Sequence, residues 1–325
     1  MNVKILMTKA RIRGWIHEYG KDGVYISFSG GKDSTVLLDM VRQDFDGIPA
    51  VYIDTGLEYP QLRDFVRKQE NVTWLKPEMN FRSVIKKYGY PFISKEISRK
   101  VYECRSAEAN GHESYARKQF QGKYVSKNGK SNFYSITKWE FLTEAYFPIS
   151  HKCCDVMKKQ PAKRYEKETG RLPILAMMAE ESLFRKQQWM VTGCNAFEKK
   201  RPMSNPMAFW TEQDVLQYIR TKGIEIASVY GDIVEENEIT GQMNLSDYIQ
   251  AEQPKLKTTG CKRTGCIFCG YGCHREKPGQ GKFELLKKTH PKIYDYVMRP
   301  WEEGGLNYKN VIDWLNENGN LHIMY

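Results

Sequence analysis

No run of about eighteen apolar residues occurs in the 325-residue chain, which excludes a helix able to span a bilayer. The opening stretch, Met1 to Met7, leads straight into Lys9, Arg11 and Arg13 with no signal-peptide cleavage pattern. A cytoplasmic protein with no membrane partner is therefore the expectation. Internal repeats and low-complexity tracts are missing too, so the chain reads as one large domain with additions, or as two. Charge of one sign is missing from two stretches. Between Tyr115 and Lys138 there is no carboxylate, and between Gly223 and Pro254 there is neither Lys nor Arg. The whole chain carries a formal charge of +11. That charge favours an anionic partner, so nucleic acid becomes a candidate. Cysteine is not scarce: eight in a cytoplasmic chain point to metal or redox chemistry rather than to a disulfide framework.

The Walker spacing of a phosphate loop is absent as well, because no four residues separate a Gly from a Gly-Lys pair. What stands in its place is Ser27-Phe28-Ser29-Gly30-Gly31-Lys32-Asp33-Ser34-Thr35. An apolar run from Val24 to Phe28 has strand character, and Val36, Leu37, Leu38, Met40 and Val41 follow with helical spacing. A strand, a glycine turn and a helix start make an anion cradle, to which Lys32 adds a cation and Ser34 and Thr35 add hydroxyls. The S-G-G-K-D-S phrase resembles the pyrophosphate-binding loop of the ATP pyrophosphatase superfamily. That resemblance implies ATP and Mg2+, release of pyrophosphate, adenylation of a substrate, and Lys32, Asp33 and Ser34 at the reacting phosphates.

Ala50 to Asp54 reads as a second strand ending on a carboxylate, and Val72 to Leu75 as a third. Alternation of strands and helices predicts an α/β fold with a doubly wound parallel sheet and ligand at the strands' C-terminal ends. Taken bare, Asp54 either caps a turn or lines the site. The phrase Asp54-Thr55-Gly56-Leu57-Glu58-Tyr59-Pro60 resembles the D-T-G-x-x-[FY]-P segment of the phosphoadenylyl-sulfate (PAPS) reductase family. There the segment lies beside an adenine nucleotide, which implies the same for Asp54, Thr55, Gly56 and Glu58. Glu181, Ser182 and Arg185 match that family's R-x-x-E-S-x-x-R segment, but Met178 stands where the first Arg is expected, which weakens the fit to a sulfonucleotide. The G-C-N-A-F and W-T-E-Q-D-V phrases are similar to those of PAPS reductase-like proteins of phages and mobile elements.

Four cysteines crowd into residues 261–273, where glycines let several sulfurs converge on a metal. Spacing alone permits either a zinc knuckle of Cys261, Cys266, Cys269 and Cys273 or an iron–sulfur cluster. The distant pair Cys153-Cys154, with G-C-x-x-C, resembles the ligand set of adenylyl-sulfate reductases. That resemblance implies a 4Fe–4S cluster on Cys153, Cys154, Cys266 and Cys269, with Zn2+ as the alternative. Cys104 reads as a lone thiol. Cys194 is either a sulfur-carrying or redox-active residue near the nucleotide edge, or a small buried side chain. The C-terminal E-C-G-[LI]-H phrase of sulfonucleotide reductases does not occur, and no cysteine follows Cys273.

The carboxylate-free stretch 115–138 holds Arg117, Lys118, Lys123, Lys127, Lys130 and Lys138, interleaved with Tyr115, Phe120, Tyr124, Phe133 and Tyr134. Cations for phosphates and rings for bases suit single-stranded nucleic acid; a solvated basic hairpin turning at 127–130 is the alternative. The expected organisation is a nucleotide-binding domain in two halves, 1–94 and 141–222, around a basic insertion at 95–140. An acidic lobe, the cysteine-rich loop and C-terminal helices follow over 223–325. The leading expectation for function is an ATP-dependent adenylyl and sulfur transferase that takes sulfur from a donor protein, with nucleic acid as a candidate acceptor. Its alternatives are a sulfonucleotide reductase and a non-catalytic, nucleotide-sensing module.

Overall fold

The computed structural model describes residues 1–125, 136–236 and 254–325. The turn expected at 127–130 and most of the acidic segment lie outside these described residues. The chain forms two compact units and passes between them more than once. The first comprises Met1–Asp54, Glu58–Lys76 and Pro161–Gly265; the second comprises Thr55–Leu57, Pro77–Gln160 and Cys266–Tyr325. Sequence blocks 1–94 and 141–222 therefore each contribute to both units.

The first unit is built on a six-stranded sheet. Helix α1 (Asn2–Tyr19) precedes β1 (Val24–Ser27), α2 (Lys32–Asp44), β2 (Ala50–Ile53), α3 (Pro60–Arg67) and β3 (Val72–Leu75). Strand order runs from β3 through β2 and β1 to Leu172–Leu175, Met203–Ser204 and Asn195–Ala196. The pairs are parallel up to Met203–Ser204; only Asn195–Ala196 runs antiparallel. In β1 and β2 three of the four residues are buried, the near-continuous apolar signature of a parallel sheet covered on both faces. Val36, Leu37, Met40 and Val41 of α2 are fully buried in the core with Trp15 and Ile12 of α1, so the helical spacing seen in the sequence is the packed face.

This order places a switch point in the sheet. From β1 the chain builds outward to β2 and β3, and Leu172–Leu175 then pairs on β1's other side, with Val24 opposite Leu172. The switch point lies at β1, and the loop leaving β1's C-terminal end is the glycine-rich loop.

The second unit is mainly helical, with a two-residue parallel pairing of Phe92–Ile93 with Gly270–Tyr271. A Cβ on Gly270 would stand 2.5 Å from the Phe92 ring and 2.8 Å from the Pro91 carbonyl, so only glycine lets the two segments meet. Ile93 has a φ of 66°, a strained value for a β-branched residue, and its carbonyl accepts the Gly272 N–H at 2.9 Å. A helix opens after His151 and is not uniform. Lys152–Cys154 is α-helical, Asp155–Lys159 widens to a π-turn, and Gln160–Thr169 completes it. Such widened turns recur at functional sites.

Candidate active site and thiol cavity

The phosphate loop belongs wholly to the first unit. Gly30 has φ 72°, and a Cβ there would lie 2.6 Å from Val66 Cγ2, so both conformation and space require glycine. Hydroxyls hold the rest of the turn. Ser34 Oγ accepts the Ser29 N–H at 3.2 Å and lies 3.0 Å from Ser29 Oγ, which itself accepts the Gly31 N–H at 3.3 Å. Ser34 and Thr35 both donate to the Gly31 carbonyl, at 2.9 and 3.0 Å. The turn at the start of α2 is thus held by its own hydroxyls.

Lys32 is 3% exposed, unusual burial for an ammonium, and it is well partnered. Its Nζ lies 3.2 Å from Glu212 Oε1 and 3.5 Å from Asp33 Oδ1, and it donates to the Lys262 carbonyl at 3.1 Å. Burial pushes the Asp33 carboxyl above its ordinary pKa; the Lys32 ammonium opposes this, Glu212 adds to it, and Arg263 opposes it. Burial likewise lowers the Arg185 guanidinium, helped by the like charge of Arg263 and opposed by Asp33. Lys32, Arg185 and Arg263 therefore supply positive charge around Asp33.

Glu181, Ser182 and Arg185 form one local device. Ser182 Oγ accepts the Arg185 N–H at 3.2 Å as the cap of helix Leu183–Thr192, and Glu181 pairs with the Arg185 side chain. Met178, at the position of the family's first Arg, is 3% exposed within the sheet's core. Asp54 is 6% exposed at the end of β2, and Arg63 of α3 donates to its Oδ2 at 2.7 Å. Part of that carboxylate's capacity thus fastens α3. Thr55 and Gly56 fall in the second unit, where Thr55 Oγ1 accepts the Leu57 N–H at 3.2 Å.

Cys194 is buried just before the antiparallel edge strand, three strand positions from β1. At about 4.8 Å per strand, that is roughly 14 Å across the sheet. Glu212, Tyr230 and Arg263 are neighbours of the loop that sequence reasoning did not single out. Glu212 sits inside the quoted W-T-E-Q-D-V phrase, which is the one local signal that could have found it.

The second unit holds the thiols. Cys153, Cys154, Cys266 and Cys269 line one small cavity of about 20 Å³, together with Leu57, Phe81, Pro91, Met157 and Lys158. The Ile267 N–H donates to the Leu57 carbonyl at 2.8 Å and fixes the cysteine loop there. The Cys153 thiol's hydrogen bond, with Lys95, Lys158 and Lys159 assisting against burial, brings the Cys154 thiol below its ordinary pKa. The same bond, together with burial, pushes Cys153 up. Burial raises Cys269, while Lys282 lowers it and donates to the Cys269 carbonyl at 2.7 Å. Cys273 is not on this wall. Its Sγ lies 2.8 Å from the Gly270 carbonyl as a donor, and burial pushes it up to about 12.

Among the described residues, no three His, Cys, Asp or Glu side chains are grouped so as to hold a single metal ion. Four thiolates on one zinc at 2.3 Å would stand about 3.8 Å apart. Four cysteines around one cavity, with no imidazole or carboxylate among its lining residues, are a soft donor set.

The basic stretch is only partly open. Phe120, expected as a stacking ring, is instead fully buried in the short helix Tyr115–Phe120, whereas Tyr115 is 77% exposed. Arg117 pairs with Glu108, and Lys118 lies 2.8 Å from Glu113, because flanking carboxylates fold back onto the carboxylate-free segment. Lys138 stands over the Trp139 ring at 4.6 Å. Lys127, Lys130, Phe133 and Tyr134 lie outside the described residues.

Comparison with known proteins adds three findings. A chain from Candida auris, the phosphate complex of a phosphoadenylyl-sulfate reductase, aligns over 68% of this chain and 82% of its own, at 17% identity and a TM-score of 0.39. An uncharacterised protein of Methanocaldococcus jannaschii is 40% identical over 70 residues, which is 20% of this chain and 17% of that protein. The chain thus spans about a sixth of that relative's length. The phosphoadenosine phosphosulfate reductase domain matches residues 23–108 and 111–270, from the first strand of the sheet into the cysteine loop, and the chain belongs to that family.

Proposed function

We propose that this chain is an ATP-dependent enzyme that releases pyrophosphate, adenylates an acceptor and couples that step to sulfur transfer. One observation carries the reading: a buried lysine at the start of α2, on a hydroxyl-locked glycine turn at the sheet's switch point. An acceptor oxygen attacks the α-phosphorus of ATP. The bond from that phosphorus to the bridging oxygen breaks, and pyrophosphate leaves with the electron pair. Lys32 and the loop N–H groups hold its charge. Mg2+ is the expected counter-ion, with Asp33 the carboxylate beside it. A sulfide-level sulfur from a donor protein then displaces AMP from the adenylated atom. Cys194, buried at the far edge of the sheet, is the weaker candidate for carrying that sulfur. Cys153, Cys154, Cys266 and Cys269 would hold a 4Fe–4S cluster, which supplies a site for binding or delivering sulfur when bound.

Family membership also favours a second reading, reduction of a sulfonucleotide. Met178 counts against it, since a buried core position takes the place of an anion-binding Arg. Product analysis under anaerobic conditions separates the readings: AMP and pyrophosphate from ATP support the first, whereas sulfite from adenylyl sulfate or its 3′-phosphate supports the second. Neither product would leave a nucleotide-sensing module. Nucleic acid as the acceptor is tested by salt dependence, because each neutralised phosphate releases counterions. Replacing Lys118, Lys123 and Lys127 together should flatten the slope by roughly two to three units. An unchanged slope would remove residues 115–138 from the interface.

A further inference from the structure

Three residues that no motif assigns converge on the phosphate loop. The Tyr230 hydroxyl accepts the N–H of Lys32 at 3.1 Å, and Thr264 Oγ1 lies 2.7 Å from that same hydroxyl. A Cβ on Gly31 would stand 3.2 Å from the Tyr230 oxygen and 3.3 Å from Thr264 Oγ1, so both hydroxyls lie against the loop. Between Lys262, whose carbonyl takes the Lys32 ammonium, and Thr264 comes Arg263, whose charge acts on both Asp33 and Arg185.

The backbone explains why these residues travel together. Ile233–Glu235 pairs antiparallel with Leu256–Thr258, with Ile233 opposite Thr258. Beyond that pairing, the Gly260 N–H donates to the Tyr230 carbonyl at 2.8 Å and the Cys261 N–H to the Val229 carbonyl at 2.9 Å. A Cβ on Gly260 would meet the Val229 carbonyl at 2.4 Å, so glycine permits the clamp. The base of one hairpin therefore presents a phenol, an arginine and a threonine to the loop as a unit.

The amide at the first position of a helix is a donor an anion would use. Here a neutral hydroxyl holds it. We infer that the hairpin base completes the triphosphate site. The Tyr230–Thr264 hydroxyl pair occupies the Lys32 amide until a phosphate oxygen displaces it, and Arg263 supplies the further cation to that phosphate. This rests on the loop being a phosphate site, as proposed above, and it answers the missing Arg at position 178. The cation comes from a later segment of the chain.

Calorimetry with inorganic pyrophosphate and with ATP, at two salt concentrations, tests it on the full chain. Tyr230→Phe should tighten pyrophosphate several-fold, because the amide no longer gives up a partner on binding. It should also enlarge the thermal shift that pyrophosphate produces. Arg263→Gln should weaken binding about tenfold and reduce the salt slope, which a structural role would not alter. Wild-type binding with both variants unchanged, or Tyr230→Phe weakening it, would overturn the inference and leave the ATP reading intact. Both variants behaving as expected without AMP formation would support the inference and sink the catalytic reading instead.

Discussion

The phosphate loop and the thiol cavity solve opposite problems. In the loop, the chain satisfies itself: Ser29, Ser34 and Thr35 hold backbone groups, and three oxygens surround the Lys32 ammonium. The site exists before any ligand arrives, and its turn depends on a glycine at φ 72°. In the cavity, four sulfurs face a space walled by Leu57, Phe81, Pro91 and Met157, with little else to bind. Cys153 and Cys154 are hydrogen-bonded to one another, and the Tyr271 backbone and the Lys282 ammonium act on Cys269. A preorganised polar site should tolerate loss of its ligand; a soft-ligand cavity should not tolerate loss of a ligating side chain.

The largest expected effect breaks the cavity. Purified without oxygen, the protein should be brown with about four irons per chain, a composition metal analysis and visible absorption would read. Cys153→Ser or Cys266→Ser should abolish the colour, whereas Cys104→Ser, a buried thiol away from that wall, should keep it. A colourless protein with one zinc would refute the cluster.

Next in size is Lys32→Ala. Loss of one preorganised electrostatic donor should cost about 2–4 kcal/mol in kcat/KM for pyrophosphate release. The iron content should not change. Iron lost along with activity would show that the two sites are not separable.

Gly30→Ala tests the loop's backbone instead of its charge. At φ 72° an alanine is strained by roughly 1–3 kcal/mol, and its methyl would press on Val66. Denaturant unfolding should show the loss, while activity falls through misplacement of the loop amides. Stability equal to wild type would mean the turn adopts another conformation in solution.

These effects mirror what could be read from the chain. Glycine, lysine and hydroxyl at fixed offsets are a local code, so the loop, α2 and the strand before it were legible. The same holds for Cys153-Cys154, where a helix start and its cysteines are adjacent in sequence. Tyr230 and Arg263 were not legible, because a hairpin pairing brings them to the loop from some two hundred residues away and leaves no periodic trace. Phe120 misled for a related reason: composition marked it as a ring available to bases, but packing buries it. Asp54 read as a site residue from its strand end, and its bond to Arg63 shows that a carboxylate can serve the fold at the same position.

The smallest effect asks whether the first unit's stability is its own. Thr211 and Asp214 form a capping box on helix Glu212–Lys222, the helix that carries Glu212 beside Lys32. Burial alone would raise the Asp214 carboxyl, but hydrogen bonds from Lys4 and from the Thr211 N–H and hydroxyl outweigh it and hold the group below its ordinary pKa. A carboxyl depressed on folding stabilises fully above its unfolded pKa, about 3.9, and that stabilisation fades as pH falls through the folded value. Asp214→Asn should therefore cost about 0.5–1 kcal/mol at pH 7 and progressively less in acid, where the wild type loses the same contribution. Loss of the visible chromophore would follow the second unit, whereas tryptophan fluorescence would follow both, since Trp15, Trp74, Trp189 and Trp210 lie in the first unit and Trp139, Trp301 and Trp314 in the second. A pH-independent difference between the variant and the wild type would remove the cap's charge from the account, leaving only its hydrogen bonds.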